Sequence, residues 1–362
     1  MAWAQARARA RDSARQPLPV VTRDLDAALG HALAGPLTAL TDLPPFDTSA
    51  MDGRAVAGPG PWRLRDGAVG EGEGEGEGEG EGEGEGAGAG LGRDVRVRGQ
   101  ECRAGDTLLP AGTAVTPAVV GLAAAAGYDR LAVHRRPRVE LLVLGDELPE
   151  SGPPRDGRVR DALGPLLRPW LARHGAEVIG RRLVAYDLGP LRDALRGSTA
   201  DVVVTIGSTA AGPVDHLHAA LGDLGARLLV DSVAVRPGHP MLLAELPPAP
   251  DGRPRHLVGL PGDPSAAVAG AVTLAVPLLR RLGGHADPDP ASSRTTATEA
   301  LPGHPHDTRL VPVRRVARGV APLPFGGPAM LRGLAVADGL AVVPPGGVPA
   351  GAEAEVLDVP GP

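Results

Sequence analysis

The stretch DVVVTIG, Asp201 to Gly207, holds five apolar or β-branched residues without a polar interruption and stops at a glycine. A run this short, rich in β-branched side chains and lacking alternation, reads as a strand buried on both faces. VELLVLG (Val139 to Gly145) and HLVGLPG (His256 to Gly262) repeat the pattern, and AEVIGRRLVAY and RLLVDSVAV add two further strands. Helical spacing fills the gaps, from Asp161 to His174, through LGPLRDALR, from about Pro213 to Leu224, and from Pro264 to Leu282. Short buried strands alternating with helices predict an α/β domain over about residues 137–284, a doubly wound parallel sheet covered on both faces.

Outward from that domain the chain changes character. TRLVPVRRV and GLAVVPPGGVPAGAEAEVLDV alternate like strands, predicting a small β-rich domain over residues 285–362. On the other side, RDLDAALGHALAG places Leu25, Ala28, Leu29 and Leu33 on one helical face, opening an elongated N-terminal region over residues 23–136. The Arg-rich opening, residues 1–22, reads as a disordered basic tail. Residues 69–90 contain eight glutamates alternating with glycine, which cannot fill a core and repel one another, so this segment reads as a disordered linker.

Composition narrows the function classes. Apolar residues make up 43% of 362, but aromatics only 2%, so the cores must be built from Ala, Val and Leu. The repeat's eight glutamates exceed the net charge of −6, so the acidity is local, and no basic block points to nucleic acid. Cys102, the single cysteine, excludes an internal disulfide and four-cysteine zinc patterns and fits a reducing cytoplasm. The longest apolar run, Ala266 to Leu279, is short for a bilayer and contains Pro277, so no membrane span is expected.

Four loops follow strand ends, where a doubly wound sheet binds its ligands. These are LGDEL, GSTAAGPVDHL, RPGHP and LPGDPSAA. Glycines let a ligand approach the backbone, and Ser265 with neighbouring amides opens a helix whose N-terminus favours anions. Asp146, Glu147, Asp215 and Asp263 supply carboxylates of the kind Mg²⁺ takes up beside phosphates, and Arg236 and His239 could neutralise an oxyanion. Singly, each loop is ordinary turn or cap chemistry. Together they point to a phosphorylated or nucleotide-like ligand, with a divalent metal.

The motifs resemble those of the MoeA molybdenum insertases, relatives of the gephyrin E domain. LPPFDTSAMDGRAV is similar to that family's PxFDxSAMDGYAV, and PRVELLVLGDEL to its PxVxxxxTGDEL. DVVVTIGSTAAGPVDHL corresponds to the GGxSxGxxDY element, VRPGHP to KPGKP, VGLPGDPSAAVAGAVTLAVPLLRRLGG to GLPGNPVSA and its helix, and RGQECRAGDTLLPAGT to RxxGEDxxxGxxLxxxGT. The resemblance runs in order from Leu25 to Val359, the repeat excepted. It implies a cytoplasmic homodimer that takes adenylylated molybdopterin, inserts molybdate and releases AMP with Mg²⁺.

By the same resemblance Asp52, Glu101, Glu147, Asp187, Asp215, Arg236, His239 and Arg314 are the catalytic positions. Asp52, Glu147 and Asp215 would hold the metal, with Asp52 reaching across the dimer. Gly207, Ser208, Thr209, Gly212, Pro261, Gly262, Asp263 and Ser265 would bind the molybdopterin. Between SAMDG and the GED-like element the family carries a separate β-rich domain; here about forty residues remain, most of them the repeat. The site also departs from the family: GGxSxG has become GSTAAG, Arg236 and His239 replace two lysines, Asp263 replaces an asparagine, Asp161-Ala162-Leu163 replaces DSN, and Arg54 replaces the signature tyrosine. Three functions follow: an insertase, a carrier that binds molybdopterin or the cofactor without catalysis, and a tether built on the acidic repeat. The retained carboxylates favour the first.

Overall fold

A computed structural model describes residues 1–49, 95–145, 148–149, 151–155, 158–207, 209, 216–287, 289 and 292–359. The Gly/Glu repeat and most of the SAMDG motif, with the gap where the family's additional β-rich domain is expected to be missing, lie outside them. The chain forms two units, Met1–Val20 with His134–Pro362, and Val21–Val133.

In the larger unit a first helix, α1 (Trp3–Ser13), precedes the α/β succession. That succession is β1 (Arg138–Leu144), α2 (Leu163–Arg173), β2 (Glu177–Val184), α3 (Leu188–Gly197), β3 (Val202–Ile206) and α4 (His216–Asp223). It continues through β4 (Arg227–Asp231), β5 (Val235–Arg236), β6 (Leu242–Leu246), β7 (Arg255–Leu260) and α5 (Pro264–Leu282), the last with a π-helical turn at Ala271–Ala275. The sheet order is β4-β6-β7-β3-β1-β2. As expected, β1 and β3 are parallel neighbours, Val139 opposite Val202 and Val143 opposite Ile206.

The sheet is not purely parallel. β6 runs antiparallel to both β4 and β7. The links on either side of β6, residues 232–241 and 247–254, are too short for the dozen-residue crossover that a parallel neighbour needs. The sequence pattern of MLLAEL was there to be read, but periodicity carries no direction.

The uninterrupted apolar runs are explained by what covers the sheet. Val139, Leu141, Val143, Val202, Val204, Ile206, Val258 and Leu260 pack on one side with residues of α1, α2 and α5. Leu142, Leu144, Val203, Leu257 and Ala244 point to the other side, against α3 and α4. Alternate side chains therefore meet two different apolar layers, which favours apolar residues at every position; Thr205 is an exception, its buried hydroxyl without a partner among the described residues.

The basic tail is instead the helix α1. Trp3, Ala6, Arg7 and Ala10 are buried, at the three- and four-residue spacing of one helical face. Trp3 Nε1 donates to Thr273 Oγ1 at 3.0 Å, and Arg7 lies 4.7 Å from the Trp3 ring centre while bonding Asp289 at 2.9 Å. Alanine makes a face of low contrast in a sequence, and the arginines between conceal it. Helix α5, 19 residues with mean hydropathy 1.4, is long and apolar enough to cross a bilayer, but 89% of its apolar window is buried in this core.

The β-rich part comprises β8 (Ser292–Thr296), β9 (Thr308–Val316), β10 (Gly319–Pro322), α6 (Leu331–Ala335), β11 (Gly339–Val343) and β12 (Glu353–Asp358). Its sheet order, β5-β9-β11-β12-β8, incorporates β5 from the α/β succession, parallel to β9 with Val235 opposite Thr308.

The smaller unit holds a three-stranded sheet of Val20–Asp24, Arg130–His134 and Ala32–Leu33. A helix, Pro117–Ala125, is capped by Thr116, whose Oγ1 accepts from the Val119 amide at 3.3 Å. The expected helix from Arg23 to Gly35 is absent. A short 3₁₀ turn, Asp26–Ala28, joins two strands there, and Gly30 at φ 75° ends any helical continuation. Leu29 is 40% exposed, so the helical spacing of four apolar residues was coincidence.

Candidate functional site

Strands β2, β1, β3 and β7 are mutually parallel and end together: Leu144 is opposite Val184, and Ile206 is opposite both Val143 and Leu260. Their following residues, Asp187, Gly145, Gly207 and Pro261, therefore emerge at one edge. Helices begin at this edge with unpaired amides, so it is where an α/β sheet receives an anionic ligand.

The floor of the edge is backbone. Gly207 has φ 95°, its amide donates to the Leu260 carbonyl at 2.8 Å, and a Cβ on it would meet the Leu144 carbonyl oxygen at 3.3 Å. A Cβ on Gly262 would lie 3.8 Å from the Gly207 Cα. The two glycines face each other across the β3 and β7 loops, leaving room that any larger residue at either place would occupy. Thr209 is 5% exposed, and its methyl packs over Gly259 of β7.

Asp187 and Asp263 both precede helices, α3 and α5, yet neither side chain makes the capping bond that its position offers. Both are exposed, so both carboxylates remain available at the edge. Pro261 is buried and Gly262 exposed, which turns the peptide between them outward.

Ser265 departs from expectation. Its amide donates to the Pro328 carbonyl at 2.8 Å and its hydroxyl to the Met330 carbonyl at 3.1 Å. Both groups that would meet an anion are taken by the segment preceding α6. The helix start is thus closed on the Ser265 side and open on the Asp263 side.

The RPGH loop joins this edge from β5. Gly238, at φ 109°, lies so close to α5 that a Cβ would be 3.0 Å from the Ala266 carbonyl oxygen and 3.3 Å from Ala269 Cβ. This brings Arg236 and His239 beside the first turns of α5. Arg236 Nε donates to Asp307 Oδ2 at 2.7 Å, and its side chain is half exposed while that of Asp307 is 12% exposed. That bond, with the charge of Arg236, holds the Asp307 carboxyl below its usual range against the opposing effect of burial.

Of the other expected positions in the larger unit, Arg314 stands apart from this edge. Arg314 lies on β9 five residues beyond Arg309, the partner of Arg236, and is exposed opposite Ala321. At about 3.3 Å per residue it is roughly 17 Å along the strand. Glu101 belongs to the smaller unit, where it is exposed and its amide donates to the Leu43 carbonyl at 2.9 Å. Asp52, Glu147, Ser208, Gly212 and Asp215 lie outside the described residues. No group of three His, Cys, Asp or Glu suited to a metal ion occurs among the described residues.

Three acids gained roles that the sequence did not disclose. Asp161 Oδ1 accepts the Leu163 and Gly164 amides at 3.0 Å each, and Oδ2 accepts Arg181, so it caps α2. Asp201 is 1% exposed and accepts Arg135 through both oxygens, the Arg138 amide and Arg253, fixing the opposite edge of the sheet. Asp307, within HPHD, was the one with a legible signal: two histidines and an aspartate directly before an apolar strand.

Comparison with known proteins gives the following. Residues 140–281 match the model of a probable molybdopterin binding domain, residues 1–87 that of the MoeA N-terminal region (domain I and II), and residues 294–359 that of the MoeA C-terminal region (domain IV). A molybdopterin molybdenumtransferase of a Nostoc species is 30% identical over 303 residues, 72% of this chain and 69% of the relative. One from Staphylococcus aureus is 24% identical over 354 residues, 86% and 81% respectively. A solved structure of a molybdopterin biosynthesis MoeA protein from Pyrococcus horikoshii has the same fold, with TM-score 0.73 and 21% identity over 100% of this chain and 99% of its own.

Proposed function

Because the chain belongs to the MoeA family of molybdenum cofactor biosynthesis, we propose that it is a molybdopterin molybdenumtransferase, taking adenylylated molybdopterin and molybdate and releasing AMP. The observation that carries this reading is the single edge at which β1, β2, β3 and β7 release their loops over a bare backbone floor. A pterin with phosphate groups needs close backbone approach and oriented amides, and Gly207 and Gly262 allow that approach. We assign the pterin and phosphate end to Gly207, Ser208, Thr209, Gly212, Pro261, Gly262 and Asp263. Arg236 and His239 flank the same place with positive charge for the incoming oxyanion. Arginine is charged at every working pH, whereas a histidine holds its charge only in part near neutrality.

Mg²⁺ suits the oxygen donors at this edge, where Asp187 and Asp263 leave their carboxylates uncapped. Asp52, Glu147 and Asp215 would hold it, Asp52 reaching the site from a second copy of the chain in a homodimer. When bound, the ion supplies positive charge between two mutually repelling anions. The chain's own part is to orient the phosphate on backbone amides, to hold the oxyanion on Arg236 and His239, and to keep both at one edge. We place this activity in the cytoplasm.

The test is AMP release by the purified protein carrying adenylylated molybdopterin after molybdate and Mg²⁺ are added. Wild type should release AMP, while Asp52→Asn, Glu147→Gln and Asp215→Asn should bind the substrate and release little. A wild type that releases none, under conditions where an authentic insertase does, would leave a molybdopterin-binding carrier in place of an enzyme.

A further inference from the structure

The geometry points to Asp307 as a positioning residue: it grips one edge of the Arg236 guanidinium so that the terminal nitrogens face an incoming oxyanion. This rests on the reading above, in which that oxyanion is molybdate. The acid is the fixed partner. Asp307 is 12% exposed in its side chain against 49% for Arg236, so the carboxylate lies inside and the guanidinium reaches outward from it. Its backbone is fixed as well. The Asp307 amide donates to His304 Nδ1 at 3.0 Å, and the His306 amide to the same nitrogen at 3.3 Å. Immediately after it, the Thr308 amide donates to the Ala234 carbonyl at 3.1 Å, stitching β9 to β5 two residues from Arg236.

The bond uses Nε, at 2.7 Å from Oδ2. A guanidinium has a second donor edge, and among the described residues no carboxylate takes the terminal nitrogens of Arg236. Those two nitrogens can therefore present a parallel pair of N–H groups to two oxygens of a tetrahedral anion. A lysine in the same place would spend its only charged group on Asp307. This accounts for arginine, and not lysine, at the place where RPGHP stands for the family's KPGKP: the buried acid and the two-edged cation work as a pair.

Equilibrium binding of molybdate to the purified full-length chain, measured by calorimetry, tests this with a four-member cycle. Asp307→Asn should weaken molybdate about tenfold while kcat at saturating molybdate changes less than about threefold. Arg236→Lys alone should also weaken it about tenfold, because Asp307 captures the ammonium. Combining Arg236→Lys with Asp307→Asn should recover affinity to within about threefold of wild type, since the freed lysine can face the anion. A double variant as weak as the product of the two singles, or an Asp307→Asn with unchanged affinity, overturns the proposal. If Asp307→Asn does not fold, His304→Ala takes its place, with a loss of affinity expected and no loss overturning it. AMP release by wild type separates the two readings: its absence removes the insertase activity itself, whereas AMP release with indifferent Asp307 variants removes only the positioning role.

Discussion

The Ser265 hydroxyl donates to the Met330 carbonyl oxygen at 3.1 Å, tying the start of α5 to the segment that leads into α6. An ordinary internal hydrogen bond contributes about 1 kcal/mol. Ser265→Ala should therefore lower the unfolding free energy by about that amount, as read from urea melts, and leave molybdopterin affinity within twofold of wild type. A tenfold loss of affinity with unchanged stability would show that the hydroxyl serves the ligand and not the segment.

Asp201 is 1% exposed and receives both Arg135 and Arg253. Removing the buried carboxylate leaves Arg135 without its acid while Arg253 keeps Asp251, which costs roughly 3 kcal/mol, the low end for a broken buried pair. Asp201→Ala should destabilise the α/β part by that order, visible as a large drop in Tm. It lies at the sheet edge away from the ligand loops, so any protein that remains folded should bind molybdopterin normally.

What could be read from the sequence depended on contrast. Val202 to Ile206 and Val139 to Leu144 announce themselves because a strand covered on both sides is built mostly of apolar side chains, and their pairing followed. The glycine loops were legible because backbone approach needs glycine whatever surrounds it. Helix α1 was not, since Ala6 and Ala10 bury little side chain and sit among arginines. The direction of β6 was set by loop length and not by side-chain pattern. The Ser265 bonds to Pro328 and Met330 were not legible, because a helix start looks alike whether an anion or a neighbouring carbonyl oxygen meets it. Asp307 acts through a residue 71 positions away, a pairing that only the β5–β9 ladder brings about.

Trp3 joins α1 to the core through its bond to Thr273 and its packing on α5. Truncating a buried tryptophan to alanine costs about 3–5 kcal/mol through lost burial and the cavity left behind. Trp3→Ala should lower Tm by several degrees, and deleting residues 1–16 should lower it further. A deletion with an unchanged melting curve would restore the view of these residues as a tail.

His174 lies at the end of α2 with Nε2 sealed from water and without a partner among the described residues. Burial, with a smaller push from Arg280, lowers its pKa to about 4. The unfolded chain protonates His174 as pH falls below about 6.5, but the folded chain does so only near 4, so stability is lost across that window and not above it. The full loss is of order 3 kcal/mol, at about 1.4 kcal/mol per pKa unit. His174→Leu, which cannot take up the proton, should flatten the pH dependence of the urea midpoint between pH 6.5 and 4. A slope that persists in the variant would place the acid sensitivity elsewhere.

Gly238 decides whether Arg236 and His239 reach the site. Two constraints act on it at once. Its φ of 109° is one that an L side chain adopts only under strain, and a Cβ there would stand 3.0 Å from both the Ala266 carbonyl oxygen and Met241 Cε. The Met241 end can shift, but the Ala266 carbonyl is held in α5 and cannot. Gly238→Ala must therefore move the loop away from α5, and Arg236 and His239 move with it, because they lie within two residues on either side. The change is confined to an edge loop, so destabilisation should stay near 1–2 kcal/mol, typical of a forced backbone conformation. Its effect on chemistry should be larger: molybdate should bind at least tenfold more weakly and AMP release should fall accordingly, while adenylylated molybdopterin, held by the β3 and β7 loops, keeps its affinity. Equal losses for both ligands would mean that the RPGH loop and the glycine floor form one inseparable site; loss of neither would mean that the oxyanion is received somewhere other than beside α5.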